Sequence, residues 1–394
     1  MILIFFIHIK MIKILLAIFL ISNAFAGSDL YVGYSGKSNN FNTVQQAVDN
    51  AAKINPSSES DRVTIHIAPG TYREQVMIQT PYITFVNDEP SKGDALITWY
   101  YGIGYKYYSA SEKGYYDANL AQAKSSKYRA ARWGAAVLVM SKAIYFKAKD
   151  MVFENSFNRY MTEEEIKDGV EILGDSSASN INIKRTSSLD VKSKAATERA
   201  AAMYIEAAYA EFLNCIFYSS QDPLYTGGSP SYFKNCLIEG QTDYIFGQSN
   251  TVFDSCELRW KGYSDGSVAG FITAARDPED NTAYTGYLMY NCKVTKNKSL
   301  TVKAGYFGRP WRQTAKAKFI NTILQDNSTI EPAGWSSMNN VPPENVDGFK
   351  EYGTKLADGS PVSTSQRKGH ILSQSDAEKT NIKNYINNWT PSYM

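Results

Sequence analysis

Short bursts of alternating apolar and polar residues run along most of the chain. Arg62-Val63-Thr64-Ile65-His66-Ile67 alternates and predicts a strand stopped by Pro69-Gly70, and Tyr82-Ile83-Thr84-Phe85-Val86 predicts a second. From Ala135 a second signal joins the alternation: an aromatic or aliphatic residue followed three positions on by a small polar or thiol residue. Its copies begin at Phe153, Ile183, Phe212, Phe233, Phe253, Met289 and Phe319, spaced by 30, 29, 21, 20, 36 and 30 residues. A unit repeated at such a period stacks on its neighbours, because no single unit can bury its own apolar face. The expectation is a single-domain solenoid whose turns each add a parallel strand about 4.8 Å from the last. The two shortest turns sit together, and the longer turns on either side emit loops that can wall a cleft.

Helical periodicity is confined to the two ends. Val44, Ala47, Val48 and Ala51 fall on one stripe within residues 42–52, with Asn42 and Gln45 at capping-box spacing. This predicts a short cap helix over the apolar end of the first turn. Ser375-Asp376-Ala377-Glu378 shows a capping pattern too, and predicts a helical tail through Tyr385 and Ile386 that packs back before Trp389. Residues 99–132 lack alternation and are rich in tyrosine (Tyr100, Tyr101, Tyr105, Tyr107, Tyr108, Tyr115, Tyr116), predicting a projecting insertion whose rings suit sugar faces or simple packing.

The first 26 residues change the compartment expected. Lys10 and Lys13, the apolar run 14–21 and Ala24-Phe25-Ala26 have the form of a secretory signal, too short in its apolar run for a membrane span. A mature chain from Gly27 is expected outside the cell, with no membrane contact and as a monomer. Losing Lys10 and Lys13 takes the 41 basic residues to 39, equal to the 39 acidic ones, which excludes nucleic-acid binding through bulk charge. Four cysteines, 215, 236, 256 and 292, share one phase of the repeat and are expected in one column. Their spacing has no Cys-x-x-Cys pair, which argues against zinc and leaves disulfides or buried thiols open. Asn297, Asn327 and Asn388 head glycosylation sequons.

The candidate chemistry lies in the two shortest turns. Ser220-Gln221-Asp222-Pro223-Leu224-Tyr225 and Thr242-Asp243-Tyr244-Ile245-Phe246-Gly247 place Asp222 and Asp243 in equal phase, 21 residues apart, so the two face each other across one rung. Carboxylates that close cannot both ionise cheaply; one keeps its proton and the other its charge, which supplies an acid and a base or nucleophile at one pH. A serine hydrolase is disfavoured: of three histidines, His8 leaves with the signal, His66 lies in a predicted strand, and His370 in the tail.

Four segments in order, Gly70-Thr71-Tyr72-Arg73-Glu74, Gln221 to Tyr225, Thr242 to Gly247, and Phe307-Gly308-Arg309-Pro310-Trp311, resemble the signatures of the pectin methylesterases. The resemblance implies an all-β, right-handed parallel β-helix and hydrolysis of the galacturonate methyl esters of pectin, with no metal or cofactor. It implies Asp243 as nucleophile, Asp222 as general acid and then base, Arg309 as the group that holds Asp243 ionised, and Gln221 as oxyanion donor. Trp311 would stack on a sugar, Phe246 and Tyr225 would shape the ester pocket, and Trp335 and Met338 resemble a further cleft segment. A Cys236–Cys256 disulfide is also implied, with Cys215 and Cys292 reduced.

The chain departs from that pattern at Arg199, which stands where many relatives have a second oxyanion glutamine, and at Pro223, where threonine is common. Arg199 can donate to an oxyanion or pair with an acid such as Glu198. Two rivals remain at this level: a pectate lyase or galacturonan glycosidase on the same scaffold, and a noncatalytic sugar-binding β-helix. A lyase would need an acidic cluster for calcium, and the tight run available is Glu163-Glu164-Glu165.

Overall fold

The structure, a computed structural model of the chain, describes residues 27–102, 105–107, 134–157, 159–160, 162, 170–172, 199–262, 269–278, 283–298 and 302–394. The expected signal at 1–26, the Ile183 copy, Glu163-Glu164-Glu165 and most of the 99–132 insertion lie outside the described residues.

Three parallel sheets, of twelve, nine and seven strands, wind round one apolar core, giving the expected right-handed parallel β-helix. One turn shows the plan. Ser231–Lys234 lies in the first sheet, Leu237–Gly240 in the second and Ile245–Gly247 in the third. Phe233, Cys236, Ile238 and Ile245 point into the core from this turn.

The corner between the first two sheets is made by one residue in the left-handed backbone region. Asp150, Asn214, Asn235, Ser255, Asn291 and Asn321 occupy it with φ between 52° and 56°. Asn and Asp tolerate that conformation better than other side chains, which is why a short polar residue precedes the small residue of each repeat copy. Directly before it in the first sheet, Phe212, Phe233 and Phe253 stack with ring centroids 4.5 and 4.7 Å apart. The register continues to Met289 and Phe319, as the repeat predicts.

The early copies differ. Ala148, not Phe153, pairs with Phe212, while Phe153 pairs with Phe217 in the second sheet. Lys147–Lys149 pairs directly with the Ala210–Leu213 strand. Residue type alone misplaced Phe153, since an aromatic fits either inward column.

The four cysteines form the expected column and are free and buried. The implied Cys236–Cys256 bridge is not formed; the Sγ of Cys236, Cys256 and Cys292 instead reach carbonyls of the preceding turn, Phe212, Phe233 and Phe253, at 3.6, 3.5 and 3.2 Å.

Helix α1 spans Val44–Ile54 and buries the expected stripe, but its N-cap is Thr43 rather than Asn42. The Glu74 carboxylate accepts from the first-turn N–H groups of Val44 and Gln45 at 2.8 and 2.9 Å, fixing the cap to the coil. The tail forms two short helices, α2 (Gln374–Glu378), capped by Ser373 rather than Ser375, and α3 (Ile382–Tyr385). Ala377, Ile386 and Trp389 then pack on Tyr232, Val252, Leu288 and Ile320, on the outer face of the first sheet.

Trp99, Tyr100 and Tyr101 belong to the coil rather than to an insertion. Trp99 ends a strand of the second sheet, and all three rings are buried against one another. Beyond them Tyr105–Tyr107 pairs antiparallel with Val170–Ile172, outside the three sheets. The buried Asn155 amide donates to the carbonyls of Tyr101 (2.8 Å), Ala201 (3.0 Å) and Gly134, tying the points where chain leaves and rejoins the coil. Removing it strands three buried carbonyls. Asn155→Ala is expected to lower unfolding free energy by about 1–3 kcal/mol in a denaturant titration; an unchanged midpoint would contradict the tie.

Candidate active site

Between the second and third sheets the chain bends again, and in two consecutive turns the residue at the bend is an aspartate. Asp222 and Asp243 have φ of 59° and 49°, the left-handed region that a short carboxylate side chain tolerates. The register is set on both sides. Arg199, Gln221 and Thr242 form one bridged column, and Leu224 pairs with Ile245. Asp222 and Asp243 therefore occupy equivalent places on adjacent rungs, about 4.8 Å apart along the coil. The Asp222 N–H donates to Thr242 O at 3.0 Å, which locks that spacing.

Both carboxylates are nearly buried, 4% and 6% exposed, yet they are treated differently. Arg309 grips Asp243 with two parallel hydrogen bonds, Nε to Oδ1 at 2.8 Å and Nη2 to Oδ2 at 2.7 Å. A planar guanidinium matched to a carboxylate in this way fixes orientation as well as charge. Its other face lies over the Phe271 ring, 4.1 Å from the centroid. Arg309 follows Gly308, where a Cβ would fall 2.0 Å from Thr273 Oγ1; glycine lets this strand close on its neighbour.

Asp222 has no such clamp. Burial first, and then the negative charge of Asp243, push its carboxyl well above the usual range, against the opposing pull of Arg199, Arg309 and a hydrogen bond from Gln221. Asp222 is thus biased to keep its proton. Arg199 lies close enough to act on Asp222 electrostatically, while Glu198 lies outside the described residues.

Beside the aspartates an apolar stripe climbs the outer face of the third sheet. Met77, Leu138, Tyr204, Tyr225, Phe246 and Ala274 pair in register, one per rung, and cluster with Trp311. Tyr204 and Tyr225 stack at 4.6 Å, Phe246 lies 5.1 Å from Tyr225, and Trp311 lies 6.2 Å from Phe246. Tyr204 was missed from sequence, although it stands the same 21 residues before Tyr225 as Phe246 stands after it. Phe271, and Tyr306 stacked on it at 5.6 Å, were missed as well; their turns are of irregular length and carry no periodic signal.

Trp335 is not in the cleft. It pairs with Gly308, turns its ring inward, and is fully buried against Phe349 at 4.2 Å. Met338 forms a bridge with Val341 in the following loop, whose Asn339 reaches Trp311 O at 3.4 Å. His66 is held between Asp88 and Asp29 and stacked on Tyr31, at the first turn of the coil.

A family model described as pectinesterase matches residues 175–388, more than half of the chain. Among curated relatives, pectinesterase QRT1 of Arabidopsis thaliana is 26% identical over 79% of this chain and 65% of its own length. Pectinesterase 1 of Olea europaea is 28% identical over 84% and 72%, and probable pectinesterase A of Aspergillus niger 32% over 43% and 48%. The chain spans 35% to 65% of the length of the first three curated relatives. Among solved structures, carrot pectin methylesterase superposes with TM-score 0.65 at 20% identity, covering 92% of this chain and 94% of that one. PemA of Erwinia chrysanthemi gives 0.66 at 21%, covering 94% and 99%.

Because folding favours the protonated form of Asp222, its contribution to stability is lost as pH rises from the ordinary carboxylate pKa of about 4 to the raised folded value. Asp222→Asn keeps shape and the left-handed backbone, so it is expected to raise the melting temperature at neutral pH and to leave it unchanged below about pH 3. Calorimetry at the two pH values checks this; equal gains at both would contradict a raised pKa. Trp335→Ala is expected to cost about 3–5 kcal/mol of stability in a denaturant titration, as loss of a core aromatic does.

Proposed function

The chain belongs to the pectinesterase family, and from that premise we propose that it hydrolyses the methyl esters of methylated homogalacturonan, the uronate polymer of pectin, outside the cell. The observation that carries the proposal is the asymmetric pair: Asp243 clamped by Arg309, and Asp222 on the neighbouring rung with a carboxyl biased to keep its proton.

An Asp243 oxygen attacks the C6 carbonyl of a galacturonate ester, and the carbonyl electrons move onto oxygen. Gln221 donates to this oxyanion, and Arg199, on the adjoining rung, adds positive charge. Collapse breaks the bond to methoxide, which takes the Asp222 proton and leaves as methanol. The Asp243 acyl-enzyme is then attacked by water, whose proton passes to the now ionised Asp222. Cleavage restores the Asp243 carboxylate, leaves Asp222 protonated for the next cycle and releases galacturonic acid, which gives its remaining proton to water. Arg309 holds Asp243 in line throughout. A neutral methyl ester suits the apolar wall of Tyr225 and Phe246, and Trp311 at the end of the stripe supplies a surface for a sugar ring.

The test is methanol release from highly methylated pectin. Wild type is expected to release methanol without unsaturated sugar. Asp243→Asn should lose at least about a thousandfold, as removal of a nucleophile does, and Gln221→Ala about a hundredfold, both with unchanged circular dichroism. Unsaturated product would favour a lyase. Full methanol release by Asp243→Asn would remove the aspartyl mechanism.

A further inference from the structure

Arg309 reaches Asp243 from two rungs away. Gly308 pairs with Thr273, and Thr273 stands in register with Ile245, so the arginine side chain crosses the rung of Phe271 before its guanidinium meets the carboxylate. Phe271 fills that crossing. Its N–H donates to Gln241 O at 2.9 Å, and its carbonyl accepts from Tyr244 N–H at 3.3 Å, one partner on each side of Asp243. The phenylalanine backbone is therefore pinned to the turn that carries Asp243. The strand Phe271–Ala275 also holds the other end of the arginine, because the Arg309 N–H donates to Thr273 O at 3.0 Å.

The contact between side chains is close. The Arg309 guanidinium carbon lies 4.1 Å from the Phe271 centroid, against 4.6 Å for Arg159 over Tyr218 and 5.5 Å for Arg367 over Phe307. Behind Phe271, Tyr306 stacks at 5.6 Å with the ring planes 12° apart, which keeps the phenylalanine from turning edge-on. Phe271 stands outside the cluster of Tyr225, Phe246 and Trp311. Its ring faces the arginine rather than the apolar stripe.

Two parallel hydrogen bonds fix a guanidinium and a carboxylate relative to each other. They do not stop the pair from swinging as one unit on the long arginine stem. A ring beneath the guanidinium removes that freedom, since the attraction is best when the cation lies over the ring face. The plane of the Asp243 carboxylate, and with it the direction of its oxygen lone pairs, is then set by Phe271 through Arg309. Attack on a carbonyl needs the reacting atoms about 3–3.5 Å apart with their orbitals aligned, so a small rotation of that plane is costly.

We propose that Phe271 is a positioning residue for ester hydrolysis, holding the Arg309–Asp243 pair at the angle from which Asp243 attacks. The proposal rests on the esterase function above and adds to it a group that acts without touching the substrate. Because it sets orientation and not affinity, its loss falls on kcat.

The experiment measures methanol release from highly methylated pectin. Phe271→Leu keeps apolar bulk without a ring face and is expected to lower kcat about tenfold while KM stays within about twofold. Phe271→Tyr restores the face and should recover most of that kcat. Phe271→Met, which fills the same space flexibly, should match Phe271→Leu, and the melting temperature of each variant checks its fold. In an Arg309→Lys background Phe271→Leu should cost less than about twofold further, because the two side chains act as one unit. A second readout is independent of turnover. In protein labelled with nitrogen-15 arginine, the Arg309 Nε–H signal, identified by its loss in Arg309→Lys, is expected to carry an upfield ring-current shift that Phe271→Tyr keeps and Phe271→Leu loses. Wild-type kcat in Phe271→Leu, a loss confined to KM, or losses that multiply with Arg309→Lys would overturn the positioning role alone, since wild type still releases methanol. No methanol from wild type overturns the esterase function and the positioning role with it.

Discussion

Everything in the groove depends on the register of two adjacent rungs. The ladder that pairs Gln221 with Thr242 and Leu224 with Ile245 leaves Asp222 and Asp243 no freedom to move apart along the coil. Two negative charges at a rung spacing of about 4.8 Å repel by about 3 kcal/mol at an effective dielectric of about 20. The repulsion is relieved by keeping a proton on one of them, and Arg309 decides which. Its bidentate grip orients Asp243, while burial and the neighbouring carboxylate push the unclamped Asp222 to keep its proton. A flat array of backbone hydrogen bonds thereby holds two carboxyls side by side, the arrangement on which the proposed acid and nucleophile rest.

The same ladder builds the rest of the site. Residues in equal phase become neighbours, so one aromatic position repeated over three turns gives the Tyr204, Tyr225 and Phe246 row without any dedicated loop. The corner positions repeat too. The left-handed backbone that suits Asn235 between the first two sheets suits Asp243 at the next bend, where the short polar side chain meets Arg309. Arg309 arrives from two rungs further on, and Gly308 permits that approach.

How much of this was legible in the sequence follows from periodicity. Where turns have constant length, from Phe212 to Phe253, the repeat placed the parallel strands, the cysteine column and both aspartates. Where turns vary, it failed. Phe153 falls in the second sheet because an aromatic fills either inward row, and Trp335, placed in the cleft by the resemblance, turns its ring into the core. Its neighbours Phe319 and Phe349 are distant in sequence, so the core they share leaves no local trace.

The protonation of Asp222 is the point on which the chemistry turns. Carbon-13 NMR titration of the aspartate side-chain carboxyls, with Asp222 assigned by its disappearance in Asp222→Asn, reports it directly. The expected result is an Asp222 carboxyl that keeps its proton well above the ordinary carboxylate pKa of about 4 and loses part of that shift in Asp243→Asn. An Asp222 that titrates at about 4 in both chains would contradict the proton-sharing pair.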